Sequence, residues 1–271
     1  VNAERFTTKR LMELENSIDH AADEALSLEQ ELFSRLRAEL AAQCAAMVRL
    51  ARECARLDVL AAFAWNATVR AYTRPAMHTD RRLVIREGRH PVVETCVDPG
   101  SYIPNTIDLR PGDPEGVGTI LLTGPNMAGK STFLRQTALM VLMAHMGSFV
   151  PAESAEVGLV DRIFCRVGSS DNLAGGESTF LVEMHETASI LRNASADSLI
   201  IMDEVGRGTS TRDGLAIAWA VLEHMLDSLG GRNLFATHFH ELTNVKHPGL
   251  ANFSLAVKEE GERIIFLKKV V

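Results

Sequence analysis

From residue 19 to residue 72 the chain contains neither Gly nor Pro, and its apolar side chains recur at helical spacing. Phe33, Leu36, Leu40, Cys44, Met47, Leu50, Cys54 and Leu57 advance by three or four residues at each step. A mean step of about 3.4 residues is the seam of long, nearly straight helices. The expected arrangement is a hairpin or bundle of such helices packed side by side, with a self-sufficient coiled-coil dimer as the other option. Pro75 should end the pattern, because proline disfavours the helical region for Arg74.

Beyond residue 75 the pattern alternates. Apolar runs at Arg82–Arg86, Thr119–Thr123, Arg162–Val167, Ser198–Met202, Asn233–Thr237 and Arg263–Leu267 read as strands. Between them, helical spacing covers Lys130 to about His145, Ser178–Arg192 and Gly214–Leu229, the last stopped by Gly230-Gly231. Strands alternating with helices predict an α/β fold with a mostly parallel sheet and helices on its faces. Ser198–Met202 is uninterruptedly apolar, as expected of a strand buried on both faces. The division this suggests is a helical segment over 1–77 and a second domain over 78–271.

Composition narrows the class. The 271 residues are 46% hydrophobic and 23% charged, which excludes a disordered chain or a disulfide scaffold. The net charge of −7 resides in residues 95–271, so the C-terminal two-thirds is a poor tracker of the phosphate backbone of DNA. Cys44, Cys54, Cys96 and Cys165 form no Cys-x-x-Cys pair, pointing to a reduced, cytoplasmic setting. No apolar run reaches the roughly 18 residues that a membrane helix needs, so no membrane partner is expected. The chain starts at Val1 with no basic-then-apolar leader, which suggests a piece of a longer protein.

The chemistry concentrates in the second domain. Gly124-Pro-Asn-Met-Ala-Gly129-Lys130-Ser131 matches the phosphate-binding loop, entered from an apolar strand and left through a helix. Gly124 and Gly129 let backbone N–H groups face phosphates, Lys130 reaches the β- and γ-phosphates, and the Ser131 hydroxyl can bind Mg²⁺. Asp203 and Glu204 stand at the carboxyl end of a buried strand, where open α/β sheets bind ligands. Asp203 would hold Mg²⁺, and Glu204 would act as base or water-orienting group. His238, after the strand ending at Thr237, could sense the γ-phosphate. In an extended segment it would also share a face with His240, leaving a metal site with Glu241 open. Gly175-Gly-Glu-Ser178-Thr-Phe180 feeds a helix; Ser178 could meet a phosphate or merely cap that helix.

Four strings carry a family resemblance: Thr123–Ala138, Gly175–Met184, Met202–Thr211 and Phe235–Leu242. Their order and spacing resemble the ATPase of the MutS mismatch-repair family, as do Glu87–Glu94 and Leu57–Leu60 upstream. The resemblance implies a P-loop, ABC-type ATPase domain that dimerises so that each ATP site is completed by the partner, with Ser178 acting in trans. It assigns ATP to Gly124, Pro125, Asn126, Met127, Ala128, Gly129, Lys130, Ser131 and Thr132, and an adenine-stacking role to Tyr102. It assigns catalysis to Lys130, Glu204 and His238, and Mg²⁺ to Ser131 and Asp203. Ala128 departs from the glycine often found there.

By the same resemblance, residues 1–77 are the returning helices that join a DNA clamp to the ATPase. Mismatched DNA would be gripped by N-terminal and clamp domains outside this chain. A MutS-type homodimer, downstream mismatch-repair proteins and a bacterial, nucleoid-associated location are implied, and the family's final helix-turn-helix is absent. The rival functions are another ABC-type ATPase, of a transporter or chromosome-structure protein, or a MutS-related module that binds ATP without turnover.

Overall fold

The computed structural model describes residues 6–98, 100–125, 128–167, 179–260 and 263–271. The chain divides into two units, one extending to Ala62 and one from Phe63 to Val271.

Helix α1 runs unbroken over Lys9–Val69, 61 residues or about 90 Å at 1.5 Å per residue. Thr8 caps its start, its hydroxyl accepting the Leu11 N–H at 3.2 Å. The expected hairpin is therefore absent. With no Gly or Pro between residues 19 and 72, nothing interrupts the helix, and a single helix uses the whole segment. None of its residues is buried, and Phe33, Leu36, Leu40 and Met47 remain exposed along the stripe. The helix also ends before Pro75. Ala71 takes the left-handed conformation (φ 50°) and the Tyr72 N–H bonds back to the Ala67 carbonyl, the six-to-one closure of a Schellman turn. Thr73 already bridges to Val150.

Among the described residues, the second unit holds two sheets. A four-stranded sheet has the order β1-β5-β2-β3, from β1 (Ala76–His78), β2 (Leu83–Gly88), β3 (Asn105–Leu109) and β5 (Ser154–Gly158). Only its β1–β5 pair is parallel. The six-stranded sheet has the order β10-β9-β4-β8-β7-β6. Its strands are β4 (Thr119–Thr123), β6 (Ile163–Arg166), β7 (Leu199–Asp203), β8 (Arg232–Ala236), β9 (Leu250–Glu260) and β10 (Arg263–Val270). Every pair from β9 to β6 is parallel, and the β9–β10 hairpin is antiparallel. Both sheets are thus mixed, and the strands that deliver the candidate site, β4, β7 and β8, lie in the parallel part of the six-stranded sheet.

Helices α2 (Lys130–His145), α3 (Thr179–Asn193) and α4 (Thr211–His224) connect these strands, and a π-helical turn, Met225–Leu229, extends α4 to Gly230. Period-two alternation buries both faces of the central strands. Ile120, Leu122, Leu199, Ile201 and Leu234 pack with α2 and the smaller sheet, through Leu134, Leu83 and Ile85. Leu121, Ile200, Met202 and Phe235 point the other way, onto Ala218 and Leu222 of α4.

Candidate nucleotide-binding site

The parallel register brings the carboxyl ends of β4, β7 and β8 level. Leu122 and Asp203 both pair with Ala236, and the Thr237 N–H bonds to the Leu122 carbonyl at 3.0 Å. The loop leaving β4 turns at Gly124 (φ 139°) and Gly129 (φ 110°), conformations that L side chains rarely adopt. Gly129 is the N-cap of α2 and offers no side-chain cap, which leaves the helix's first N–H groups for an anion. Ala128 is fully buried, so the loop accommodates its methyl. Asn126 and Met127 lie outside the described residues.

Lys130 opens α2 with a buried side chain whose Nζ donates to the carbonyls of Gly124 (2.6 Å) and Pro125 (3.2 Å). Burial lowers its pKa, against the opposing pull of Glu204 and Asp203. Its Nζ lies 3.9 Å from Glu204 Oε1. The Ser131 hydroxyl stands near Asp203, whose pKa burial raises, with Ser131 tempering the rise and the Glu204 charge adding to it. Asp203 Oδ1 is buried without a hydrogen-bond partner. A hydroxyl beside a carboxylate with one orphaned oxygen is a hard-oxygen donor set of the kind Mg²⁺ accepts together with phosphates.

Glu204 is held in the left-handed region (φ 57°), unusual for a residue with a Cβ. Its N–H bonds to the Ala236 carbonyl at 2.9 Å, and its carboxylate pairs with Arg207. His238 follows β8 by two residues and is exposed, its ring centroid 4.1 Å from that of Phe239. The metal alternative loses its geometry, because His240–Asn244 forms a 3-10 helix rather than an extended segment. Among the described residues, no cluster of three or more His, Cys, Asp or Glu is placed to hold a metal.

Tyr102 is half-buried and donates its hydroxyl to Gln136 Oε1 at 2.6 Å; burial raises its pKa. It lines a cavity of about 180 Å³ with Gly129, Thr132, Phe133, Asn105 and Lys268, at the foot of α2. Lys268 was not legible as a site residue. It reaches this place only because the β9–β10 hairpin returns over the loop, where Lys268 takes a left-handed turn (φ 53°) and its carbonyl accepts from Asn105 Nδ2. Ser178 lies outside the described residues; α3 starts at Thr179.

Residues 120–271 match the family model described as MutS domain V. The chain belongs to the MutS family. Among its relatives, the DNA mismatch repair protein MutS of Sorangium cellulosum is 55% identical over 269 residues, 98% of this chain and 29% of that protein. The proteins of the same description from Caldicellulosiruptor bescii and Treponema denticola are 50% and 51% identical, each over 100% of this chain and 31% of their own length. This family member thus spans less than a third of the curated relatives it matches. No helix among the described residues is long and apolar enough to cross a membrane.

Proposed function

We propose that the chain is the ATP-binding and ATP-hydrolysing module of a mismatch-repair protein, with a P-loop fold of the ABC type over residues 78–271 and a lever helix before it. The observation that carries this reading is the meeting of Lys130, the Ser131–Asp203 pair and Glu204 at the level carboxyl ends of β4 and β7. The buried Lys130 ammonium would neutralise the β- and γ-phosphates. Ser131 and Asp203 would hold Mg²⁺, which when bound neutralises phosphate charge as it develops. Glu204 would orient a water and take its proton, and His238 would contact the γ-phosphate side. Tyr102 would stack on adenine in the cavity beside Thr132, with Gly124 to Thr132 wrapping the phosphates.

In this reading the protein works as a homodimer, Ser178 completing the partner's site. ATP turnover would switch a DNA clamp, built from domains beyond this chain, between mismatch recognition and sliding, and signal to downstream repair proteins in the bacterial cytoplasm. The net −7 of residues 95–271 supports placing the DNA grip elsewhere.

The test is Glu204→Gln. ATP affinity should stay within threefold of the unsubstituted protein while turnover falls at least a hundredfold, and sedimentation should show ATP trapping a dimer. Unchanged turnover would remove Glu204 from catalysis, and ATP-independent sedimentation would remove the shared site.

A further inference from the structure

The segment leaving β7 is clasped from two sides. On one side Gly206 (φ 87°) lies against Gly214 at the start of α4, so closely that a Cβ on Gly206 would fall 2.4 Å from the Gly214 carbonyl oxygen. On the other side stands Glu183 of α3, a carboxylate only 4% exposed. Its Oε1 accepts the Gly206 N–H at 2.6 Å, and a Cβ on Gly208 would lie 3.5 Å from its Oε2. Arg166, at the end of β6 and equally buried, lies 3.6 Å from Glu183 and 3.1 Å from Glu186. A buried carboxylate given to a backbone N–H carries a desolvation cost, which nearby positive charge offsets.

The residue two positions upstream of that N–H is Glu204, whose left-handed backbone is unfavourable for a side chain with a Cβ. Such a conformation persists only where its surroundings over-determine it. The backbone bonds flanking it are Glu204 N–H to Ala236 on one side and Gly206 N–H to Glu183 on the other. We propose that Glu183 is a positioning residue: through the Gly206 N–H it holds Glu204 in its left-handed conformation, coupling the setting of α3 to the catalytic carboxylate. The proposal rests on the ATPase reading above, in which Glu204 acts on water. It adds that a shift of α3 along its axis reaches Glu204 without touching the phosphate loop.

Three substitutions in the full chain test this. Glu183→Ala removes the acceptor, Glu183→Asp withdraws it by one methylene, and Glu183→Gln keeps a neutral acceptor at full reach. Glu183→Ala and Glu183→Asp should lower kcat at least tenfold with ATP affinity within threefold of the unsubstituted protein, and Glu183→Gln should recover kcat to within about threefold. Hydrogen exchange over residues 204–210 should lose protection in Glu183→Ala and keep it in Glu183→Gln. If Glu183→Ala fails to fold, Glu183→Asp against Glu183→Gln decides alone. Unchanged exchange and kcat in Glu183→Asp, or equal losses of kcat and affinity, would overturn the proposal. Absence of ATP binding in the unsubstituted protein would instead overturn the ATPase reading, while the exchange result still decides whether Glu183 anchors the loop.

Discussion

Replacing Lys130 by Met keeps an unbranched, uncharged stem out to Cε, with sulfur for the Cδ methylene, and removes the ammonium, so it isolates the charge at the start of α2. The stem is buried and its Nζ is fixed by the Gly124 and Pro125 carbonyls, so the cation is pre-positioned rather than recruited from solvent. Truncating one partner of a buried, hydrogen-bonded charge pair costs about 2–5 kcal/mol. At about 1.4 kcal/mol per tenfold, ATP affinity should fall between about 30-fold and several thousandfold. The same change leaves two loop carbonyls without their donor and takes one cation away from Glu204 and Asp203, Glu204 keeping Arg207. The fold should therefore lose about 1–3 kcal/mol rather than gain from the removal of a buried charge. Calorimetric titration with ATP and Mg²⁺ reads the first quantity and urea unfolding the second. An ATP affinity within threefold of the unsubstituted protein would refute the phosphate role of Lys130. A gain in stability would refute the claim that its carbonyl bonds outweigh its desolvation.

The unsubstituted protein should lose ATP affinity at least tenfold on chelation of Mg²⁺, and Asp203→Asn should leave the affinity nearly indifferent to Mg²⁺; an Asn variant that still responds to Mg²⁺ would remove Asp203 as its ligand. Tyr72 offers a test of electrostatics away from the site. Burial, then the charge of Glu94 that accepts its hydroxyl at 3.0 Å, push its pKa from 10.0 up to about 12. A raised folded-state pKa means the Tyr72 contribution is complete below pH 10 and is lost as pH rises through 12. Partial solvent exposure screens this contribution, so Tyr72→Phe should cost only about 1 kcal/mol at neutral pH and flatten the alkaline decline. Tyrosinate absorbance near pH 10 showing an ordinary phenol at Tyr72 would contradict this.

Helices α2 and α3 and strands β4 and β7 were legible to within a residue or so because their signals are local. Each is an apolar run or helical stripe bounded by glycine or a capping residue. The strands that escaped notice lack such a signal. Ser154–Gly158 is half polar, and Leu250–Glu260 carries Ala, Leu, Lys and Glu that read as helix. The latter becomes a strand because its backbone pairs with β4 on one side and β10 on the other, a tertiary demand that overrides propensity. The apolar seam of α1 marks a stripe in the sequence but not a single helix, since periodicity marks a face and says nothing of what covers it.

By itself the sequence determined which groups the site can draw on: glycines in a loop after an apolar strand, a lysine and serine at a helix start, and adjacent carboxylates closing a buried strand. Each follows from residue type at fixed spacing. Only the tertiary structure decided which groups meet. Lys130 comes within 3.9 Å of Glu204 because β4 and β7 both register on β8. Lys268 joins Tyr102 because a hairpin folds back, and Glu183 reaches Gly206 because α3 packs beside the loop after β7. These are contacts between residues 23 to 166 positions apart, and no local pattern encodes them.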